Sequence, residues 1–167
     1  MNEDIKFLSI NVAVVTISDT RTLENDKSGD VLEKRIKQAG HIVLAREIVQ
    51  DEFKKISYLF SNFIKDKKID VIISTGGTGL TGRDITPEVM ETLFEKSIDG
   101  FGEMFRWMSY KKIGTSALQS RALAGVANGT YIFCLPGSPS ACRDGWDDIL
   151  VHQLDIRHKP CNFVEIM

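Results

Sequence analysis

The sequence has few cysteines, no long apolar run and no excess of basic residues, and each shortage excludes a class of protein. Cys134, Cys142 and Cys161 are an odd set without a Cys-x-x-Cys spacing, so we expect reduced, packed thiols rather than disulfides or a zinc site. No apolar run approaches a membrane span, and Met1-Asn2-Glu3-Asp4 has no basic region before an apolar stretch, so we expect no secretion signal. A formal charge of −2 argues against nucleic acid as the main partner. We therefore expect a cytoplasmic protein that binds neither membranes nor nucleic acid.

The first half of the chain alternates apolar runs with helical patterns. The length of 167 residues suits a single domain over residues 1–167. Strands are predicted at 10–17, 42–49 and 71–74, and the first and third of these are expected to be buried. A helix with Ser28 as its N-cap follows the first strand, and an amphipathic helix over 53–64 follows the second. Such alternation predicts an α/β protein, a three-layer α/β/α sandwich with mostly parallel strands.

The second half predicts a hairpin and two helices. Asn128-Gly129 favours a tight turn between strands at 122–126 and 130–135, which makes the central sheet mixed. A helix over 100–110 carries an apolar face that suits the core or a subunit contact: Phe101, Met104, Phe105 and Met108. Ser138 is the predicted N-cap of a last helix that begins with Pro139 and extends to Leu154.

The segment after the third strand carries the strongest functional signal. Thr75-Gly76-Gly77-Thr78-Gly79 combines free backbone N–H groups with hydroxyl donors, which suits a phosphate. Arg83-Asp84 then adds a cation and a carboxylate. A carboxylate repels phosphate at close range unless a cation, most simply Mg²⁺, lies between them. The loop therefore predicts phosphate chemistry, with a plain chain turn as the alternative.

Two nucleotide motifs can be tested against this loop. Walker A requires a Gly-Lys-Ser/Thr ending, and the segment has no lysine. Gly77-x-Gly79-x-x-Gly82 fits the dinucleotide fingerprint literally, but that fingerprint opens a helix directly. Here Thr86 is the predicted N-cap and Pro87 the first helical residue. A nicotinamide-binding dehydrogenase is therefore a weak alternative.

Two carboxylates are expected to meet beside this loop. Asp51 follows the second strand and Asp84 the third, and ligands of open α/β sheets gather at these strand ends. Together they could hold a hydrated divalent cation. As alternatives, Asp51 could cap the 53–64 helix, and Asp84 could pair with Arg83. Ser120-Arg121 could supply a hydroxyl and a bidentate phosphate clamp, or a surface arginine.

With these residues in place, the chain resembles the molybdopterin-binding protein family over nearly its whole length. Its MoaB branch is the more similar one, because of Gly114-Thr115-Ser116-Ala117-Leu118-Gln119-Ser120-Arg121 and Lys159-Pro160-Cys161-Asn162-Phe163. The matching segments stand in the family's order: Ser18-Asp19-Thr20, Asp26-Lys27-Ser28-Gly29, Asp51-Glu52, Thr75-Gly76-Gly77-Thr78-Gly79, Arg83-Asp84-Ile85-Thr86-Pro87 and Pro136-Gly137-Ser138-Pro139.

The resemblance implies molybdenum cofactor biosynthesis, in which molybdopterin is adenylylated by Mg-ATP. Asp51 and Asp84 match essential acids that position Mg²⁺ and ATP, so they are the expected catalytic and metal residues. Nucleotide-binding residues are expected at Ser18, Asp19, Ser28 and Gly29. Substrate-binding residues are expected at Thr75, Gly76, Gly77, Thr78, Gly79, Arg83, Ser120, Arg121, Pro136, Gly137 and Ser138.

The resemblance also implies partners. Family members of this branch form trimers or hexamers and act with other molybdenum cofactor synthesis proteins, so a homo-oligomer is expected. The alternative function is a non-catalytic protein that binds or assembles molybdopterin.

Overall fold

A six-stranded mixed sheet forms the centre of the computed structural model, which describes residues 5–167. Its strands are β1 (Asn11–Ile17), β2 (Ile42–Val49), β3 (Val71–Thr75), β4 (Lys96–Ser97), β5 (Leu123–Ala127) and β6 (Thr130–Leu135). They lie in the order β2-β1-β3-β6-β5-β4. The first four of these are parallel, whereas β5 is antiparallel to β6 and β4 is antiparallel to β5. The predicted mixed, mostly parallel sheet is confirmed.

Helices cover both faces of this sheet. They are α1 (Lys27–Gln38), α2 (Phe53–Lys65), α3 (Thr86–Leu93), α4 (Asp99–Ile113), α5 (Pro139–Gly145) and α6 (Val151–Gln153). A 3₁₀ segment, Gly114–Gln119, extends α4, a π-helical turn, Trp146–Leu150, joins α5 to α6, and a last 3₁₀ turn spans Val164–Ile166. Side chains of α1, α4 and α5 pack in one core, and those of α2 and α3 pack in the other. The predicted three-layer sandwich is therefore confirmed.

Strand side chains alternate between these two cores. Val12 and Val14 face the α1 side, whereas Ala13 and Val15 face the α2 side, and all four are fully buried. Strands that are covered on both faces read as continuous apolar runs, which is why these runs were recognisable. The Asn128-Gly129 turn has positive φ at both residues, as the hairpin prediction requires.

Several helix ends differ from the predictions. The N-cap of α1 is Asp26 rather than Ser28, because the Asp26 carboxylate accepts the Gly29 N–H at 3.0 Å. Glu52, not Asp51, precedes α2, and Ile85, not Thr86, precedes α3. Ser138 caps α5 as predicted, accepting the Ala141 N–H at 3.1 Å.

Two elements of the second half also differ from the predictions. The edge strand β4 was not predicted, because its two exposed residues carry no apolar pattern. The last helix is interrupted by the π-helical turn rather than continuous to Leu154.

All three cysteines are free, but the packing prediction is wrong for Cys161, which is exposed. Among residues 5–167, no helix has both the length and the apolar character to cross a membrane.

Candidate functional site

A cleft of about 730 Å³ opens at the carboxyl ends of β1 and β3. The strand order reverses there, because β2 lies on one side of β1 and β3 lies on the other. Neighbouring crossovers leave in opposite directions at such a point, so a gap opens between their loops. The loops that follow β1, β2, β3 and β6 all contribute to its lining.

The loop after β3 is held close to the sheet by two glycines in the left-handed region. Gly76 has φ +104°, and a Cβ at this position would lie 2.1 Å from the Ile17 carbonyl oxygen. Gly77 has φ +64°, and its Cβ would lie 2.2 Å from Thr86 Oγ1. Thr86 fixes both residues, because its hydroxyl donates to the Gly76 carbonyl and its N–H donates to the Gly77 carbonyl. This backbone geometry is closed to any residue with a side chain.

Asp51 lies at the floor of the cleft with an unsatisfied oxygen. The residue is 9% exposed, and its buried Oδ1 has no hydrogen-bond partner within the described chain. Burial raises the pKa of the Asp51 carboxyl, and the nearby charges of Asp84 and Asp19 raise it further, against a backbone hydrogen bond from Ile85. A buried, under-coordinated carboxylate beside other carboxylates is an arrangement that a cation stabilises. The structure thus rejects the alternative of Asp51 as a helix cap.

Asp84 faces the same cleft from the loop after β3. Its Oδ2 accepts the Thr81 N–H at 3.0 Å and also the Thr81 hydroxyl, which closes a tight turn. It does not pair with Arg83, so that alternative is wrong. Arg83 instead donates to Asp19 on the loop after β1, with Nη2 to Oδ2 at 2.6 Å.

Asp19 connects three of the loops. Its Oδ2 accepts from Arg83 Nε and Nη2, and its Oδ1 accepts the Asp51 N–H at 3.2 Å. The hydrogen bond from Arg83 is the main cause that lowers the pKa of the Asp19 carboxyl. The loops that carry Asp19, Asp51 and Arg83 therefore form one connected rim.

The loop after β6 closes the other side of the phosphate cradle. Thr75 Oγ1 donates to the Pro136 carbonyl at 2.9 Å, and Ser28 Oγ donates to the Gly137 carbonyl at 3.0 Å. A Cβ on Gly137 would lie 3.3 Å from Gly76 Cα, so the two loops are in van der Waals contact. Part of the hydroxyl set that was predicted to bind ligand thus holds the two loops together.

The wall opposite these loops was missed by sequence reasoning. It consists of α4 and the 3₁₀ segment after it, which contribute Phe105, Ser109, Lys112, Ile113, Ser116 and Gln119. Lys112 forms ion pairs with Asp144 of α5 at 2.8 Å and with Asp148 of the π-helical turn at 3.1 Å. The resemblance already included Ser116 and Gln119 in a matching segment, which was the signal that could have located this wall.

Most predicted site residues line the cleft, and two do not. Gly29 lies behind it, where a Cβ would meet the Asp26 carboxylate at 2.1 Å, so its role is to allow the α1 cap. Arg121 also lies outside the lining, and its guanidinium donates to the glycine loop from behind. The lining includes Asp51, Asp84, Thr75, Gly76, Gly77, Thr78, Gly79, Arg83, Ser120, Pro136, Gly137, Ser138, Ser18, Asp19 and Ser28.

The donor set fits magnesium better than a metal held wholly by protein. No group of three or more His, Cys, Asp or Glu side chains within residues 5–167 forms a metal site. Mg²⁺ commonly takes one or two carboxylates and completes its shell with water and substrate phosphates. Asp51, with its unpartnered Oδ1, and Asp84 supply two carboxylates beside the glycine loop.

Comparison with known proteins agrees with this geometry. The family described as probable molybdopterin binding domain matches residues 13–156. Molybdenum cofactor biosynthesis protein B from Escherichia coli K12 is 46% identical over 95% of this chain and 93% of its own length. The Bacillus cereus protein of the same name is 42% identical over 87% and 86%.

Solved structures show the same relationship. A crystal structure of a molybdenum cofactor biosynthesis protein B superposes with a TM-score of 0.86 at 41% identity, covering 88% of this chain and 92% of that one. The residues that match the family span the cleft loops from the end of β1 to α5. The chain therefore belongs to the molybdopterin-binding domain family.

Proposed function

We propose that the protein acts in molybdenum cofactor biosynthesis by adenylylating molybdopterin with Mg-ATP. The observation that carries the proposal is the placement of Asp51 and Asp84 in one cleft with a glycine cradle between them. Relatives named molybdenum cofactor biosynthesis protein B support the pathway. The reaction joins a phosphate oxygen of molybdopterin to the α-phosphorus of ATP, and the bond to the β-phosphate breaks to release pyrophosphate.

The glycine loop would hold the terminal phosphate of molybdopterin. Gly76 and Gly77 bring main chain to the cleft without side chains in the way, and Thr78 is buried beside them. The Gly76 N–H already donates to the Leu135 carbonyl at 3.0 Å, so the N–H groups of Gly77, Thr78 and Gly79 would be the ones that bind the phosphate oxygens, through charge-assisted hydrogen bonds. The contact between Gly137 and Gly76 fixes the spacing of the two ligand loops, and this holds the nucleophilic oxygen in place.

The carboxylates would hold magnesium on the nucleotide side. When bound, magnesium neutralises charge on the phosphates of ATP. Asp51 would contribute its free Oδ1, and Asp84 would contribute from the facing loop. The rim formed by Asp19 and Arg83 keeps Asp51 and the loop of Asp84 at a fixed separation.

No general base is required at this site. The attacking phosphate oxygen is already ionised at neutral pH, and pyrophosphate leaves as an anion. The chain therefore contributes position and charge, and these account for most of the catalysis in phosphoryl-type transfer. This agrees with a cleft whose lining, within residues 5–167, contains no histidine.

Pyrophosphate release from ATP and molybdopterin tests the proposal. Wild type should require magnesium, and Asp84→Asn should lose about 100-fold in rate, or about 3 kcal/mol of transition-state stabilisation. Asp66→Asn is the matched control, because Asp66 follows α2 at the opposite end of the sheet and should leave the rate unchanged. An Asp84→Asn variant as fast as wild type would refute the assigned role.

A binding or assembly role is the second candidate. The observation in its favour is the exposed apolar side of α4, where Met104, Trp107 and Tyr110 are each more than half exposed. Such a surface suits contact with protein, so the proposal includes a homo-oligomer and contacts with other proteins of the pathway. The proposal also includes a cytoplasmic location. Calorimetry that detects molybdopterin binding but no ATP binding would favour this role over catalysis.

A further inference from the structure

Arg121 stands close before β5 and directs its guanidinium at the back of the glycine loop. Nε donates to the Gly79 carbonyl at 2.9 Å, and Nη2 donates to the Asp84 carbonyl at 2.8 Å. Nη1 pairs with the carboxylate of Glu88 in the first turn of α3. Each guanidinium nitrogen thus already has a protein acceptor, and the side chain is absent from the lining of the cleft.

These contacts span the segment that carries Asp84. Gly79 ends the phosphate cradle, and Glu88 belongs to the helix that follows the loop. Within that span, the hydrogen bonds between Asp84 and Thr81 shape the turn but do not connect it to the rest of the molecule. Arg121 supplies the anchor from behind, and the Arg83–Asp19 pair supplies one from the rim.

The main chain on both sides of the Asp84 carboxylate is held by Arg121. Gly79 lies against that carboxylate, because a Cβ at Gly79 would lie 2.7 Å from Asp84 Oδ2. Arg121 donates to the carbonyls of both Gly79 and Asp84. It therefore limits how far the Asp84 carboxylate can move in the cleft.

We infer that Arg121 is a positioning residue that fixes the Asp84 carboxylate in the cleft through the carbonyls of Gly79 and Asp84, and is not a ligand for the substrate phosphate. This inference rests on the proposed function for its kinetic consequence. It revises the expectation that Arg121 clamps a phosphate. The three guanidinium nitrogens already donate to two carbonyls and a carboxylate, so they are not free to bind a phosphate in a bidentate way.

Arg121→Lys separates the two roles. Lysine keeps the positive charge and remains a good phosphate ligand, but it cannot reproduce the planar three-point contact. A positioning role predicts that kcat falls about tenfold, since one to two hydrogen bonds to the loop are lost, while the KM for molybdopterin stays within about twofold. Arg106→Lys is the control, because Arg106 also donates to a backbone carbonyl, that of Ala122, away from the cleft.

Two further measurements do not depend on turnover. Amide hydrogen exchange over residues 79–85 should become faster in Arg121→Lys and not in Arg106→Lys. Binding of Mn²⁺ with ATP, followed by calorimetry, should weaken several-fold because the Asp84 carboxylate is no longer held in place. Glu88→Gln provides a milder variant, with both changes smaller and in the same direction.

Three readouts separate positioning from phosphate binding at Arg121. Faster exchange, weaker Mn²⁺ binding and an unchanged KM for molybdopterin support positioning. Wild-type exchange together with a raised KM would make Arg121 a phosphate ligand and overturn the inference. If the wild type releases no pyrophosphate, the proposed function fails, but exchange and Mn²⁺ binding still decide what Arg121 does.

Discussion

The two walls of the cleft are built from different parts of the chain. The loop after β3 presents main chain, shaped by Gly76 and Gly77 and fixed by Thr86. The opposite wall, α4 and its 3₁₀ extension, presents side chains such as Ser109 and Gln119. A wall of main chain can bind the phosphate of many different ligands. A wall of side chains can select one ligand by its shape and its hydrogen-bonding groups.

The two walls should respond differently to amino-acid substitution. This main-chain wall depends on positive φ angles and on close approaches that leave no room for a Cβ at Gly76 and Gly77, so single substitutions there disrupt the whole loop. A side-chain wall on a helix tolerates substitution, because the helix does not depend on its exposed side chains. We therefore expect the first wall to control whether the reaction occurs and the second to control which substrate is used.

The largest expected effect comes from Gly76→Ala. The φ of +104° and the 2.1 Å approach of a Cβ to the Ile17 carbonyl force the loop to move. We expect turnover to fall below detection and the free energy of unfolding to drop by at least about 2 kcal/mol. Pyrophosphate release and urea unfolding measure the two effects.

Gly82→Ala is the matched control on the same loop. A Cβ at Gly82 meets nothing within 4 Å, and its φ is not positive. It should change both quantities little. If both alanine variants behaved alike, the cradle would not depend on the left-handed geometry at Gly76, and the distinction between the two walls would fail.

The next largest effect is expected for Asp51→Asn, which should lower turnover and raise the stability of the fold. Burial raises the folded-state pKa of this carboxyl, so ionising it at neutral pH opposes folding. Asp51→Asn removes that cost and should raise the Tm slightly at pH 7. The gain should shrink as the pH falls toward about 4, where the carboxyl is protonated in the unfolded chain as well. Turnover should fall about 100-fold, as for Asp84.

Thermal unfolding with and without Mg-ATP provides the contrast. Ligand that binds the native state should raise the Tm of the wild type more than that of the variant. A variant that is less stable than wild type at pH 7, or that is stabilised equally by Mg-ATP, would show that Asp51 is a structural residue and not part of a cation site.

The same contrast explains what could be predicted from the sequence. Strands β1 and β3 were recognisable because both of their faces are covered, and the glycine loop because its dihedrals favour a specific residue type. The α4 wall has no such requirement, so Ser109 and Lys112 carry no local signal. Their place in the cleft follows from how α4 packs on the sheet, which is a tertiary property.

The caps show the same limit on a smaller scale. Ser28 was the predicted N-cap of α1, but it lies inside the helix, and Asp26 caps it. The Ser28 hydroxyl instead donates to the Gly137 carbonyl, a contact over a hundred residues away that the local sequence does not indicate. The local sequence likewise allowed Asp51 to cap α2. In the structure Glu52 precedes that helix, and Asp51 is buried in the cleft near Asp84.

The smallest expected effect lies on the side-chain wall, at Gln119→Ala. Gln119 lines the cleft and is exposed, so the substitution should leave the free energy of unfolding unchanged. If its amide contacts the substrate, the loss of one hydrogen bond of about 1 kcal/mol raises the KM for molybdopterin about fivefold with kcat unchanged. Leu118→Ala is the control, because the neighbouring side chain is 83% exposed and does not line the cleft. A fall in kcat with an unaltered KM would place Gln119 with the reacting groups, and the division of labour between the two walls would then be wrong.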